Sequence, residues 1–316
     1  MNTGLLVLFQ FLFFALAAPL LAGWVKRVKA RLQNRRGTPL LQGYRELWKL
    51  MGKQALVPDT ASPVYRIAPY VVFASTLLAA ATLPVLGPRL PLASMADIIV
   101  LVGLLALGRF FLALAGMDVG TAFGGLGSSR EMLISSLAEP AILMAVFTLT
   151  LTAHSTNLAS VTDFLLHSAP ALRPSFLFAL MALLLVGIAE TGRIPVDNPA
   201  THLELTMVHE AMILEYSGRH LALMEWAAQI KLLLYAVLLV NLFFPWGMDA
   251  QGTPTGTLVA LTAVTFKLAV VGTALGVTES VLAKMRLFKV PLYLDMAFLL
   301  ALLGLLSHVI LEVGSR

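Results

Sequence analysis

The sequence predicts an all-α, polytopic membrane protein with eight transmembrane helices, both termini outside, and long cytoplasmic first and fifth loops. Three observations carry this expectation. Of 316 residues, 59% are hydrophobic and only 12% charged, whereas an ordinary soluble domain is about 45–50% apolar and about 25% charged. Eight apolar stretches reach the roughly 20 residues of helix that a hydrocarbon core of about 30 Å requires. The Lys and Arg residues fall almost entirely on one side of those stretches. Together these exclude a disordered chain, a soluble enzyme and a nucleic-acid-binding module, although the formal net charge is +5.

The stretches lie at 4–24, 67–87, 97–117, 132–153, 172–190, 221–246, 257–278 and 290–313. None shows the two-residue alternation of an outer-membrane strand, so each reads as a helix. The first has no basic residue before it and is followed at once by Lys26, Arg27, Lys29 and Arg31. A secretory signal is basic ahead of its apolar core, so this order reads as an anchor with its N-terminus outside. On that orientation the inside loops hold 16 Lys and Arg and the outside segments 3, with Arg109, Lys231 and Lys267 inside spans. Such a bias sets topology. No fixed-period repeat and no linker divides the chain, which reads as one membrane domain over 1–316.

The first loop, 26–66, carries Tyr44, Leu47, Trp48 and Met51 at i, i+3, i+4 and i+7, with Arg45, Glu46, Lys49 and Lys53 on other faces. That is an amphipathic helix lying at the interface. Most of these charges read as a positive-inside anchor, but the run Arg31, Arg35 and Arg36 is denser than anchoring needs and points to a partner surface or an acidic cofactor group. The fifth loop, 190–220, holds Glu190, Asp197, Glu204, Glu210 and Glu215, five of the 17 carboxylates. Asn198 before Pro199 is a good start for a helix, expected to run to about Tyr216 with Glu204 and Glu215 on one face. Glu190, Arg193 and Asp197 are spaced for local pairing. His209-Glu210 begins like a zinc motif, but Ile213 stands where the second histidine would be.

An ionisable group at mid-bilayer costs roughly 2.5–3.5 kcal/mol, so each needs a reason. Arg109, Glu225 and Asp295 read as structural ion-pair partners. Lys231 and Lys267 are too deep to reach the interface easily, and a buried lysine exchanges protons readily. With Asp118, Glu131, Glu139, Glu190, Glu204, Glu210, Glu215 and Glu279, they outline an expected proton or ion path from the cytoplasmic side. Cysteine is absent. That removes disulfides, thiolate-held zinc and a self-contained iron–sulfur cluster, so no redox cofactor is expected in this chain.

The fifth loop, with Glu190, Arg193, Pro195, Asp197, Pro199, Glu204, Leu205 and then Glu215-Tyr216-Ser217-Gly218, resembles the signature loop of a respiratory complex I membrane subunit, the NADH dehydrogenase subunit 1 family. It is closer still to formate hydrogenlyase subunit 4 and the membrane subunit of energy-converting NiFe hydrogenases. Ala30-Arg31-Leu32-Gln33-Asn34-Arg35-Arg36-Gly37, Arg109-Phe110-Phe111, Gly116 to Gly120, Ser129-Arg130-Glu131 and Glu139-Pro140 extend the likeness over nearly the whole chain. The resemblance implies a prokaryotic inner-membrane subunit that docks a soluble arm and passes coupling to proton or sodium translocation. Arg31, Gln33, Arg35, Arg36, Arg193, Asp197 and Tyr216 are the implied docking residues. The implied partners are soluble large and small subunits carrying nickel–iron and iron–sulfur centres, and antiporter-like membrane subunits. Ala200 and His202 replace two glutamates of the respiratory branch, and Thr38 replaces a proline. These departures favour the hydrogenase branch over the alternative, the quinone-binding membrane subunit of an NADH:quinone oxidoreductase. Missing repeats and heavy cytoplasmic loops speak against a stand-alone transporter.

Overall fold

The computed structural model describes residues 3–88, 92, 95–167, 173–197, 207–249 and 254–313. Among these the chain is helical, with one isolated bridge between Asp97 and Asn157 and no strand. The order is α1 (Thr3–Leu32), α2 (Gln42–Met51), α3 (Pro63–Thr82), α4 (Ile98–Asp118), α5 (Ala122–Ala153), α6 (Leu158–His167), α7 (Pro174–Glu190), α8 (His209–Ile213), α9 (Gly218–Phe243), α10 (Pro254–Val281) and α11 (Val290–Ser307). Seven helices, α1, α3, α4, α5, α9, α10 and α11, are long and apolar enough to cross a membrane. The expected fifth span is the apolar α7, which at 17 residues is shorter than these. The expected amphipathic helix is α2, with Leu47 buried and Trp48 85% exposed. The short α6 lies beyond the spans read from sequence.

Local chemistry sets the ends. Ser62 caps α3 by accepting from Val64 N–H at 3.1 Å ahead of Pro63, a position where proline sacrifices no helical bond. Asp97 caps α4 and Thr121 caps α5 in the same way. At the end of α7, the Arg193 N–H reaches the Ile188 carbonyl and the Gly192 N–H reaches Ala189. With Gly192 at φ +59°, this is a Schellman motif. It turns the chain out of helical register, so Glu190, Arg193 and Asp197 do not pair with one another as expected. The helix expected from Pro199 to Tyr216 is replaced, among the described residues, by the five-residue α8. Residues 198–206, with Glu204 and the expected cap, lie outside the described residues. Glu215 lies in a turn just after α8 and Tyr216 follows it, so neither continues that helix.

Helix α9 is the centre of the bundle. Of its apolar window 72% is buried, against 28% for α10 and for α11. It packs on α1, α3 and α7, while α11 packs on α5 and α7 and α10 on α1. Glycine permits the closest approach, between α4 and α5: a Cβ on Gly124 would stand 2.1 Å from the Gly116 carbonyl.

Candidate functional site

Four helices bring their charged residues to one seam. Arg109 on α4 donates from Nη1 to Glu190, the last residue of α7, and lies 2.6 Å through Nη2 from Glu139 on α5. Lys231 on α9 lies 2.9 Å from the other oxygen of Glu190. The order is therefore Lys231, Glu190, Arg109, Glu139. Tyr235, one turn along α9 from Lys231, also turns its phenol toward Glu190. The carboxylate of Glu190 is 2% exposed and that of Glu139 34%, so the seam starts inside the bundle and ends on an outer face. Glu131, two turns before Glu139, lies in the electrostatic field of Lys231, Glu190, Arg109 and Asp197.

Burying these charges costs several kcal/mol per ion unless each is paired and hydrogen-bonded. Pairing two cations with two anions in alternation meets the larger part of that demand, and the buried Arg109 Nε is left without a hydrogen-bond partner. Pro140 follows Glu139 within α5. Proline supplies no N–H, so the Ser136 carbonyl loses its helical donor beside Glu139. In lipid such a group must find another partner, which adds polarity at the outer end of the seam.

A second set ties the ends of α1, α7 and α10 together. Glu279 on α10 lies 3.2 Å from Lys29 on α1 and 3.1 Å from Arg193. Asp197 lies 2.8 Å from Lys284 and accepts from the Val208 N–H at 3.3 Å. These links fix the descending part of the fifth loop to α1 and α10. Asp118 accepts from the Ser62 N–H at 2.8 Å and so braces the start of α3.

The residues expected on a path thus divide. Glu139, Glu190 and Lys231 join one seam, with Glu131 close by. Asp118 and Glu279 hold loops. Glu210 is half-buried on α8 and Glu215 is exposed. Lys267 stands apart: its ammonium donates to the carbonyl of Phe244 at 2.6 Å and to that of Trp246, and lies 4.4 Å from the Trp246 ring centre. Arg109 is an ion-pair partner as expected, yet it also bridges the two glutamates. Tyr235 escaped the sequence reading, although its i+4 spacing from Lys231 was a usable signal.

The expected docking residues divide as well. Arg31, Gln33, Arg35 and Arg36 are exposed at and just beyond the end of α1. Arg193 and Asp197 are instead engaged by Glu279 and Lys284, and Tyr216 is buried, so these three hold the loop rather than face outward. The rings of Tyr216 and Tyr65 stack 4.1 Å apart at 5°, and the Tyr216 hydroxyl donates to the Tyr65 carbonyl at 3.0 Å. Burial, then Tyr65 and the Asp118 carboxylate, push the Tyr216 phenol above its ordinary pKa, so it stays a neutral donor.

Known proteins share this sequence and fold. Formate hydrogenlyase subunit 4 of Escherichia coli (strain K12) is 36% identical over 284 residues, covering 90% of this chain and 92% of that protein. Hydrogenase-4 component C of the same organism is 33% identical over 307 residues, covering 95% of each. A chain of the archaeal membrane-bound sulfane sulfur reductase, described as a respiratory membrane complex, superimposes with a TM-score of 0.81 at 19% identity, covering 97% of this chain and 99% of that one. That likeness shows the fold alone. The family model described as NADH dehydrogenase matches residues 4–309, and with it this polytopic chain belongs to the NADH dehydrogenase (complex I subunit 1-like) family.

Proposed function

We propose that this chain is the membrane-anchoring and ion-coupling subunit of a hydrogenase-like complex in a prokaryotic inner membrane. Its basic run Arg31–Arg36 docks a soluble arm of large and small subunits, which carry the nickel–iron and iron–sulfur centres. This chain supplies no redox cofactor. The seam Lys231–Glu190–Arg109–Glu139 conveys coupling toward antiporter-like membrane subunits that move protons or sodium ions. Eight spans with both termini outside complete the reading, α7 being the fifth.

The observation that carries it is the seam: four alternating charges that start inside the bundle and end on an outer face at Glu139. A purely structural pair has no need to reach that face. In such a row the protonation of one carboxylate changes the field on the next cation, so charge shifts pass along without an electron entering the membrane. The relatives support the hydrogenase setting by their names.

The test is purification of the tagged chain from its native membranes. Co-purifying soluble subunits with stoichiometric nickel and iron are expected. Recovery of NADH-binding subunits and no nickel overturns the hydrogenase assignment. Reversing Arg35 and Arg36 to Glu is expected to release the soluble subunits, and a complex that survives high salt with both reversed overturns the docking role.

A further inference from the structure

His209 opens α8 and belongs to none of the ion pairs described above. Its surroundings hold it in place. Arg130 donates to the Met207 carbonyl at 3.0 Å, and the Val208 N–H donates to Asp197. Just beyond it, Ala211 and Met212 fill a groove on α4 and α5 kept open by glycine. A Cβ on Gly127 would stand 2.9 Å from the Val208 carbonyl, and one on Gly116 would stand 3.2 Å from Met212 Cγ. The backbone on both sides of His209 is therefore fixed by tertiary packing, although α8 has only five residues.

Its Nε2 is buried and has no hydrogen-bond partner among the described residues. A buried polar atom left in this state calls for a reason. The groups acting on the ring come from both sides. Glu210 and Asp197 belong to the fifth loop, and Lys231 to the seam. On α5, Glu131 shares Lys231 and Asp197 as electrostatic neighbours, and α4 contributes Arg109 to the same group. The chain at His209 is tied to both sides: Val208 N–H binds Asp197 at 3.3 Å, and the Met207 carbonyl is held by Arg130, which adjoins Glu131 on α5, the helix that carries Glu139. One side is Asp197 with Lys284; the other is the seam.

We infer that His209 carries protons between the fifth loop and the seam, exchanging with the Asp197–Glu210 side and with the Lys231–Glu190 side. The inference rests on the seam being the coupling path proposed above. Imidazole suits the task because a neutral ring accepts a proton at one nitrogen and releases one from the other near neutral pH. The balance is one proton in and one proton out, and the ring resets by exchanging tautomers. Burial holds the imidazole below its ordinary pKa. Lys231 adds to that effect, and Glu210 and Asp197 oppose it. The resting ring is neutral, ready to accept.

The experiment uses the intact complex in sealed, inverted membrane vesicles. Ion uptake and electron transfer to a viologen dye are measured on the same preparation. His209→Ala is expected to assemble and keep electron transfer, while ions moved per turnover fall by roughly tenfold or more. Added imidazole is expected to restore much of the loss. Glu190→Gln is measured beside it. If Glu190→Gln uncouples and His209→Ala does not, His209 is no carrier and the seam reading stands. If neither uncouples, the seam reading fails and takes the inference with it. A loss that imidazole leaves unrestored assigns a packing role and overturns the inference. Should His209→Ala fail to assemble, His209→Gln decides: wild-type coupling overturns the inference, and selective loss supports it.

Discussion

Lys231 on α9 and Lys267 on α10 are both lysines in the middle of apolar helices, and their ammonium groups are held in different ways. Lys231 faces a carboxylate that is shared with an arginine. Lys267 faces the carbonyls of Phe244 and Trp246, just past the end of α9. The last carbonyls of a helix have no intrahelical donor, and Lys267 supplies one from a neighbouring helix. The partner of Lys231 can change charge, and the partners of Lys267 cannot. The two lysines share their depth in an apolar helix, and what separates them is the chemistry of the partner.

The sharpest way to break this contrast is to remove the carboxylate. Glu190→Gln leaves Lys231 and one side of Arg109 without their anion, and losing one partner of a buried pair costs about 3–5 kcal/mol. Ion uptake per turnover in vesicles is expected to collapse, with a clear drop in the melting temperature of the complex. Unchanged uptake with an intact complex would remove the seam from the path. The next largest effect is expected from Lys267→Met, which leaves two carbonyls at the end of α9 without this donor. A buried acceptor left unsatisfied costs about 1–3 kcal/mol. Melting in detergent is expected at a lower temperature, with ion uptake per turnover preserved. An uncoupled but thermally normal variant would place Lys267 on the path and erase the distinction.

Trp246→Leu tests the same end more gently. Losing a cation–π contact is worth about 0.5–1 kcal/mol at an exposed site, so a small fall in melting temperature is expected, with coupling unchanged. The smallest effect concerns pH. His209 is held below its ordinary pKa, so the unfolded chain binds the proton more readily. Stability then rises with pH between the lowered value and about 6.5, and is lost on acidification through that window. Thermal unfolding of wild type at mildly acidic pH is expected to be easier than at neutral pH. His209→Gln is expected to flatten that slope.

The apolar runs were legible in the sequence because length and composition alone decide them. The amphipathic α2 was legible for a similar reason, since Tyr44, Leu47, Trp48 and Met51 recur at i, i+3, i+4 and i+7. The partners were not. Arg193 and Asp197 sit at helical spacings in the sequence, but the turn at Gly192 sends them to Glu279 and Lys284, more than 80 residues away in each case. Lys231 and Lys267 looked alike because periodicity reports depth and says nothing about the neighbouring helix. Long-range pairing depends on how helices are arranged around α9, which one chain's local pattern does not encode.

Helix α1 has a mechanical consequence. Its 30 residues span about 45 Å at 1.5 Å each, so it outreaches a hydrocarbon core of about 30 Å by roughly 15 Å. It forms a pillar whose tip carries Arg31, Arg35 and Arg36. In physiological salt the screening length is about 8 Å. Lys29 stands only two residues, about 3 Å of helical rise, from Arg31, so a charge that changes at the tip lies within that length of it. Just below the tip, Lys29 meets Glu279 and Glu279 meets Arg193. A tilt of the pillar would tug on the fifth loop directly, so a load applied at the tip would be felt at the descending segment that begins at Glu190.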